Sequence, residues 1–149
     1  MRADPDLAAS LRRHGLKATP RRLAVARLLH RSGRTMTPDA VWQRLKPGLG
    51  RLGLQSVYRI LEELTGARLL TRIVLPDRLL RYAACRAEPD HHHHHLVCTC
   101  CGLIAVVDCA FPPRVRRSVE RSTGFTITGH SMQVEGLCPG CRRRRAGRV

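Results

Sequence analysis

The stretch LQSVYRILEEL (residues 54–64) has the clearest periodic pattern in the chain. Its apolar residues recur every three or four positions, which predicts an amphipathic helix with one buried stripe. The stripe comprises Leu54, Val57, Ile60, Leu61 and Leu64. The opposite face carries Gln55, Ser56, Tyr58 and Arg59. That face is polar and cationic, so we expect it to meet a partner rather than the core.

Three helices are predicted before this stretch. The first runs from Leu7 to His14 and is ended by Gly15. Thr19-Pro20 and Thr37-Pro38 each predict a helix start, because threonine caps the first turn and proline fits its first position. Pro47 to Gly53 is predicted to be a glycine-rich connection to the fourth helix.

Two apolar runs follow the fourth helix. They cover Leu69 to Leu75 and Leu79 to Ala83, and Pro76-Asp77 between them predicts a β-hairpin. Several helices followed by a two-stranded ribbon indicate a winged helix, in which the last helix is the natural reader of a DNA major groove. The alternative is a small helical domain with no role on DNA.

The charge balance favours the DNA interpretation. The chain has a formal net charge of +16, and residues 1–84 carry 17 Lys/Arg against 6 Asp/Glu, a net of +11. Such an excess favours a polyanionic partner, and nucleic acid is the usual one. An arginine-rich proteome is the alternative explanation of the charge, but the charge together with the polar, Arg59-bearing face of the fourth helix favours DNA.

Compartment and cysteine content point to metal chemistry. The chain has no apolar run of about 18 residues or more, as a membrane span requires, and its N-terminus lacks the apolar core of a signal peptide. We therefore expect a cytoplasmic protein without a membrane partner. Its seven cysteines are then expected to bind metal rather than form disulfides.

Two cysteine pairs, Cys98-x-x-Cys101 and Cys138-x-x-Cys141, give the strongest local signal. Four thiolates complete a tetrahedral structural zinc site and leave no position for a substrate. A redox motif is the alternative, but it would need only one pair. Cys100 is not assigned to the site, because it cannot easily point at the same metal as its neighbour Cys98.

The histidine run His91 to His95 is the second signal. In an extended strand, His93 and His95 project to one face while His92 and His94 project to the other. Cys85 could join the first pair and His130 the second. A solvated histidine-rich linker that binds metal loosely is the alternative, and spacing alone does not decide between the two.

These elements predict an α+β protein with two parts. Residues 1–84 form the winged helix, 85–95 a hinge with metal ligands, 96–141 an α/β domain and 142–149 a disordered basic tail. Within the second domain we expect two strands between Leu96 and Val107, turning at Cys101-Gly102. A helix should then run from Pro112-Pro113 to near Gly124, and further strands should lie between Phe125 and Leu137.

Four motifs together resemble the ferric uptake regulator family of metalloregulators. They are GLKATPRR (15–22), SVYRIL (56–61), HHHHHLVCTCCG (91–102) and GHSMQVEGLCPGC (129–141). The resemblance implies a homodimer with a C-terminal α/β dimerisation domain that represses metal-uptake genes when metal is bound. It also implies that the two cysteine pairs hold structural zinc and that the N-terminal half contacts DNA. The matching DNA-contact positions are Lys17, Arg21, Gln55, Ser56, Tyr58 and Arg59.

The resemblance further implies a regulatory metal site at Cys85, His93 and His95, as in the zinc uptake regulator branch. A thiolate with imidazoles favours zinc over iron or manganese. The remaining ligand of that site falls at Thr71, a poor one, for which Asp77 or water could substitute. A second regulatory site is implied at His92, His94 and His130, and its usual glutamate falls near Pro113.

The function predicted is a zinc-dependent repressor that binds palindromic operators, with zinc as structural and regulatory cofactor. An iron- or manganese-responsive regulator of the same family is the first alternative. A zinc store or metallochaperone is the second, although it leaves the polar helix face unexplained. No enzymatic activity or small organic substrate is expected, because no catalytic carboxylate or HExxH pairing accompanies the ligands.

Overall fold

The computed structural model describes residues 6–85, 92–109 and 111–147. Its helices are α1 (Leu7–Arg13), α2 (Pro20–Ser32), α3 (Pro38–Leu49), α4 (Leu54–Gly66), α5 (Pro113–Thr123) and α6 (Pro139–Ala146). Its strands are β1 (Leu70–Val74), β2 (Leu80–Ala84), β3 (His93–Cys98), β4 (Ile104–Asp108) and β5 (Gln133–Gly136). The described residues form helices and two separate sheets, with no succession of βαβ units, which confirms the α+β class.

Helices α1 to α4 and the β1–β2 hairpin share one hydrophobic core in the N-terminal half. The predicted threonine caps are present: Thr19 accepts the backbone N–H of Arg22, and Thr37 accepts that of Ala40. The predicted stripe of α4 is buried at Val57, Ile60, Leu61 and Leu64. The polar side of α4 is therefore turned outward.

The predicted connection from Pro47 to Gly53 is wrong in its first part, because α3 continues through Pro47 to Leu49. A proline so close to the end of a helix removes one backbone hydrogen bond without breaking the turns before it. Trp42 braces this end of the helix. Its indole N–H donates to the Leu52 carbonyl at 2.7 Å, and the Lys46 ammonium lies 4.7 Å from the centre of its ring.

The predicted hairpin is confirmed. Strands β1 and β2 pair antiparallel, with Leu70 opposite Ala84 and Val74 opposite Leu80. Asp77 shapes the turn by accepting the backbone N–H of Leu79 at 3.0 Å. The hairpin forms the wing beside α4, and its last residue, Ala84, leads directly to Cys85.

The C-terminal half is a three-stranded sheet in the order β4-β3-β5, antiparallel between β4 and β3 and parallel between β3 and β5. The strands predicted between residues 125 and 137 reduce to β5, since residues 124–132 have no regular structure. The disordered tail is wrong for residues 142–146, which continue α6. Residues 86–91 of the predicted hinge, including His91, and 148–149 lie outside the described residues.

Backbone hydrogen bonds and apolar contacts join the two halves of the protein. The backbone of residues 33–36 reaches both: Thr35 donates to Gly102 at 2.7 Å, and Met36 donates to Tyr82 of the wing at 2.9 Å. Ile73 and Leu75 of the wing pack on Val97 of β3. Within the described chain, no helix is long and apolar enough to cross a bilayer.

Candidate functional site

Three clusters of metal-ligating side chains form among the described residues. The first brings together the four predicted cysteines, Cys98, Cys101, Cys138 and Cys141, with all four sulphur atoms within 4.8 Å of one another. The turn after β3 supplies one pair, and the start of α6 supplies the other. The sulphur atoms of Cys101 and Cys138 lie 3.8 Å apart. Such a four-cysteine cluster is typical of a structural zinc site.

Backbone N–H groups converge on this cluster. The N–H of Cys138 donates to the Cys98 sulphur at 3.3 Å, and the N–H of Cys141 donates to that of Cys138 at 3.4 Å. Burial opposes ionisation of Cys98, but backbone N–H groups outweigh it and lower the pKa of that thiol to about 6. Burial raises the pKa of Cys141. Four thiolates so close together need a cation to offset their repulsion, so the cluster fits zinc.

The second cluster lies where the wing meets the C-terminal sheet. Cys85, just after β2, has its sulphur 3.2 Å from Nε2 of His93 on β3. His95 points the same way, with its ring centre 5.0 Å from that of His93. Burial and the neighbouring histidines lower the pKa of His95 to about 4, so its imidazole is neutral. Its buried Nε2 has no hydrogen-bond partner in the described structure, which suits a metal ligand.

No fourth ligand of this cluster comes from Asp77. Both carboxylate oxygens of Asp77 are held by Arg81, at 2.7 and 2.6 Å, which together with the Leu79 N–H lowers the pKa of this carboxyl to about 2. Asp77 also lies at the turn of the hairpin, and Cys85 lies at its opposite end. Thr71 lies opposite Ala83 in the hairpin. Ala83 stands two residues before Cys85, so Thr71 lies on the same face of the hairpin as Cys85. A hydroxyl is not among the usual zinc ligands.

The third cluster contains the predicted His92, His94 and His130, together with Cys109, which the sequence analysis did not assign. Nε2 of His130 lies 3.0 Å from that of His92 and 3.1 Å from that of His94. Burial and the surrounding histidines lower the pKa of His94, which is 2% exposed. Pro113, near which the family's glutamate falls, is an exposed residue at the start of α5 and has no ligating atom.

Strand β3 and the residue before it, His92, divide their histidines between two clusters, as alternation along an extended chain predicts. His92 and His94 lie in the third cluster, and His93 and His95 lie in the second. The two faces of one strand thus present two separate sets of ligands.

The outer face of α4 is the candidate DNA surface. Tyr58 is 39% exposed, and the Arg59 side chain is 74% exposed. Gln55 is exposed as well, whereas Ser56 is half-buried. Lys17 and Arg21 are exposed on the loop before α2 and on its first turn. The six predicted contact residues therefore include five that are open to a partner.

An ion pair that the sequence analysis missed joins these two segments. Arg22 donates from Nε to Glu63 of α4 at 2.8 Å, and from Nη1 to the carbonyl of Lys17 at 3.0 Å. Glu63 also lies 3.9 Å from Arg59. The guanidinium of Arg22 therefore places the Lys17 loop against α4.

Comparisons with known proteins identify the family of the chain. Residues 13–135 match the model of the ferric uptake regulator family. The ferric uptake regulation protein of Campylobacter jejuni is 31% identical over 91% of this chain and 86% of its own. The peroxide-responsive repressor PerR of Staphylococcus aureus is 29% identical over 90% of this chain and 88% of its own.

Among solved structures, a zinc uptake regulator complexed with zinc and DNA has a similar fold. Its TM-score is 0.75 at 20% identity, covering 94% of this chain and 93% of that one. The family match runs from the last residue of α1 into β5. The chain thus belongs to the ferric uptake regulator family, and it is a metal-responsive, DNA-binding transcriptional regulator rather than an enzyme.

Proposed function

We propose that this protein is a zinc-sensing repressor, active in the cytoplasm as a homodimer on palindromic operators of metal-uptake genes. The observation that supports zinc is the ligand set of the second cluster. It combines one thiolate, Cys85, with the imidazoles of His93 and His95 within 4.8 Å. A soft thiolate beside two imidazoles favours zinc, whereas manganese and ferrous iron favour sites richer in oxygen.

The position of Cys85 supports a sensing role for this cluster. Cys85 follows the last strand of the wing, while His93 and His95 lie on the first strand of the C-terminal sheet. Bound zinc would therefore link the winged helix, which carries the candidate DNA surface, to the C-terminal sheet. Metal then favours the DNA-competent arrangement if it binds that arrangement more tightly than any other.

Exposed apolar side chains of the C-terminal half support the homodimer. Helix α5 has no buried residue although Val115 and Val119 lie on it. Other large apolar residues left exposed in this half are Leu96, Leu103, Val106, Phe125, Met132, Val134 and Leu137. A second copy would cover such a surface. A two-fold dimer in turn requires an operator with two inverted half-sites.

Two other functions remain to be separated by experiment. An iron- or manganese-responsive regulator would use the same DNA surface, and the relatives named above include an iron-uptake and a peroxide-responsive protein. A zinc store would need the ligands alone. The exposed Tyr58 and Arg59 and the net charge of +11 on residues 1–84 favour a regulator over a store.

The deciding experiment measures DNA binding as a function of metal. An operator is first selected from a random duplex library with zinc-loaded protein. Fluorescence anisotropy then follows binding to this duplex and to a scrambled one, with zinc, manganese or anaerobic ferrous iron buffered at matched free concentrations. We expect specific binding at the lowest free concentration with zinc. Equal or better activation by manganese or iron would contradict zinc sensing, and failure to select any sequence would contradict the repressor.

A further inference from the structure

The third cluster contains one cysteine that the family resemblance does not predict. In the family pattern the fourth ligand of this site is a glutamate, and its position falls near Pro113, which has no ligating atom. The sulphur of Cys109, just after β4, instead lies 3.2 Å from Nε2 of His130. This side chain is half-buried and belongs to the same ligand group as His92 and His94.

The strand register explains how Cys109 reaches the site. His93 pairs with Asp108 and His94 with Val107 across the antiparallel β3–β4 ladder. Continued by one residue, this register places Cys109 opposite His92. Directly opposite residues of an antiparallel pair project to the same face of the sheet, and His94 projects to it as well. The backbone alone therefore delivers all three side chains to one surface, where His130 meets them.

The contacts at His130 are not those of a hydrogen-bond network. Its Nε2 lies 3.0, 3.1 and 3.2 Å from the ligand atoms of His92, His94 and Cys109. One imidazole nitrogen carries either a single proton or a single lone pair, so it cannot hydrogen-bond three partners at once. Ligands around a tetrahedral zinc stand about 3.3–3.8 Å apart, given bonds of roughly 2.0–2.3 Å. Convergence at nearly this spacing is what a shared ion would produce.

Two neighbours hold and shield the cluster. The backbone N–H of Phe111 donates to the Cys109 sulphur at 3.5 Å and fixes the position of that side chain. The Phe111 ring packs on the His130 ring with their centres 4.6 Å apart. His94, at 2% exposure, closes the inner side of the cluster.

We propose that Cys109 is the fourth ligand of a three-histidine, one-thiolate metal site with His92, His94 and His130. A thiolate carries the same formal charge as the glutamate it replaces, so the charge of the site is preserved. It is the softer ligand, however, and this shifts the site toward zinc or cobalt and away from manganese. The inference goes beyond the proposed function, which needs only the Cys85 cluster.

Cobalt(II) spectroscopy of the full-length protein tests this ligand directly. Protein that keeps its structural zinc is stripped of labile metal by mild chelation and titrated anaerobically with cobalt(II). All variants carry Cys85→Ser, so that Cys109 is the remaining cysteine of the two histidine-containing clusters. We expect a sulphur-to-cobalt charge-transfer absorption and tetrahedral ligand-field bands. Adding Cys109→Ser should abolish the charge-transfer band and weaken zinc binding at this site at least about tenfold, judged by competition with a chromophoric chelator.

Two further variants separate ligation from folding. Cys109→Asp supplies an oxygen ligand and should keep cobalt bound while losing the charge-transfer band. Its preference for manganese relative to zinc should rise at the same time. Cys100→Ser removes an exposed thiol outside the three clusters and should leave the spectrum unchanged. The proposal is overturned if the Cys85→Ser protein binds cobalt without a charge-transfer band, or if Cys109→Ser leaves that band intact.

Discussion

Arg22 and Glu63 form an ion pair, with Nε of the arginine 2.8 Å from Oε2 of the glutamate. The pair joins the first turn of α2 to α4, and a second N–H of the same guanidinium holds the Lys17 carbonyl. A lysine cannot reproduce both contacts, since its single ammonium lacks the fork of an arginine. The pair therefore holds the Lys17 loop against α4, whose outer face carries Arg59.

Arg22→Lys should lower affinity for the specific duplex by up to about fivefold, the range expected of a partly exposed ion pair. The net charge is unchanged, so binding to scrambled DNA and its salt dependence should stay as in the wild type. Arg27→Lys, at an exposed position on the same helix, is the control. Wild-type affinity of Arg22→Lys for the specific duplex would show that Arg22 contributes only charge.

Arg59 and Lys17 are expected to contribute differently to DNA binding. Arg59→Ala should cost about 1–3 kcal/mol and relax the preference at one position of each half-site, as removal of a base-reading side chain does. Lys17→Ala should weaken all sequences alike and reduce the salt slope by about one unit for each phosphate that the lysine neutralises. Anisotropy across a salt series measures both, with Arg121→Ala as a charge-matched control on α5. Wild-type affinity from Arg59→Ala would contradict the assignment of α4 as the reader helix.

Cys138→Ser should lose tightly bound zinc and the dimer together. Metal-binding free energy is folding free energy in a site of this kind, and the four-cysteine cluster ties the start of α6 to the turn after β3. Zinc content per chain and sedimentation measure the two properties. The exposed Cys100 is the matched control, and Cys100→Ser should retain both. A Cys138→Ser dimer with one zinc per chain would argue against a structural role.

Cys85→Ala and His93→Ala should each keep the structural zinc yet lose metal-dependent DNA binding. Removing one of three protein ligands weakens the labile site, while the four cysteines are untouched. Zinc titrations of duplex binding provide the measurement, and zinc retained after mild chelation provides the control. If both variants titrate like the wild type, the sensing site lies elsewhere.

Gly102→Ala should destabilise the contact between the two halves. Gly102 has a φ of +70°, and a Cβ there would stand 2.7 Å from the Thr35 hydroxyl oxygen. Gly124 has a similar φ of +72° with nothing within 4 Å, so Gly124→Ala measures the backbone strain alone. We expect each to lose about 1–2 kcal/mol of stability through backbone strain, and Gly102→Ala to lose more than that and to bind DNA less tightly. Equal losses in thermal unfolding and equal DNA affinity would mean that the close approach is unimportant.

Much of the N-terminal half could be predicted because its signals are local. Thr19-Pro20 and Thr37-Pro38 set helix starts by capping chemistry within one turn, and the stripe of α4 needs only its own periodicity. The end of α3 was missed for the opposite reason. Its last turn is braced by Trp42 contacts with Lys46 and Leu52, and no local pattern around Pro47 shows them.

The candidate metal ligands are likewise predictable only where the sequence spacing itself specifies them. The four cysteines and the alternation of His92 to His95 follow from spacing, and the structure brings each of these groups together. Cys109 is not predicted as a ligand, because the family pattern places the fourth ligand of this site near Pro113. A signal is present, since counting outward from the predicted turn at Cys101-Gly102 pairs residue 109 with His94, which shares a face with His92. The observed register is two residues different and places Cys109 opposite His92 itself. The Arg22–Glu63 pair bridges 41 positions and has no such signal.

The five consecutive histidines have a consequence for how β3 is aligned. Sliding the strand by one residue would exchange its faces, yet each face would still offer two imidazoles. The histidines therefore do not determine which register β3 adopts. That information comes from the residues after them, where Val97 is fully buried and Leu96 is 36% exposed. A charged residue at Val97 should thus disturb the division of ligands between both clusters, although Val97 belongs to neither of them.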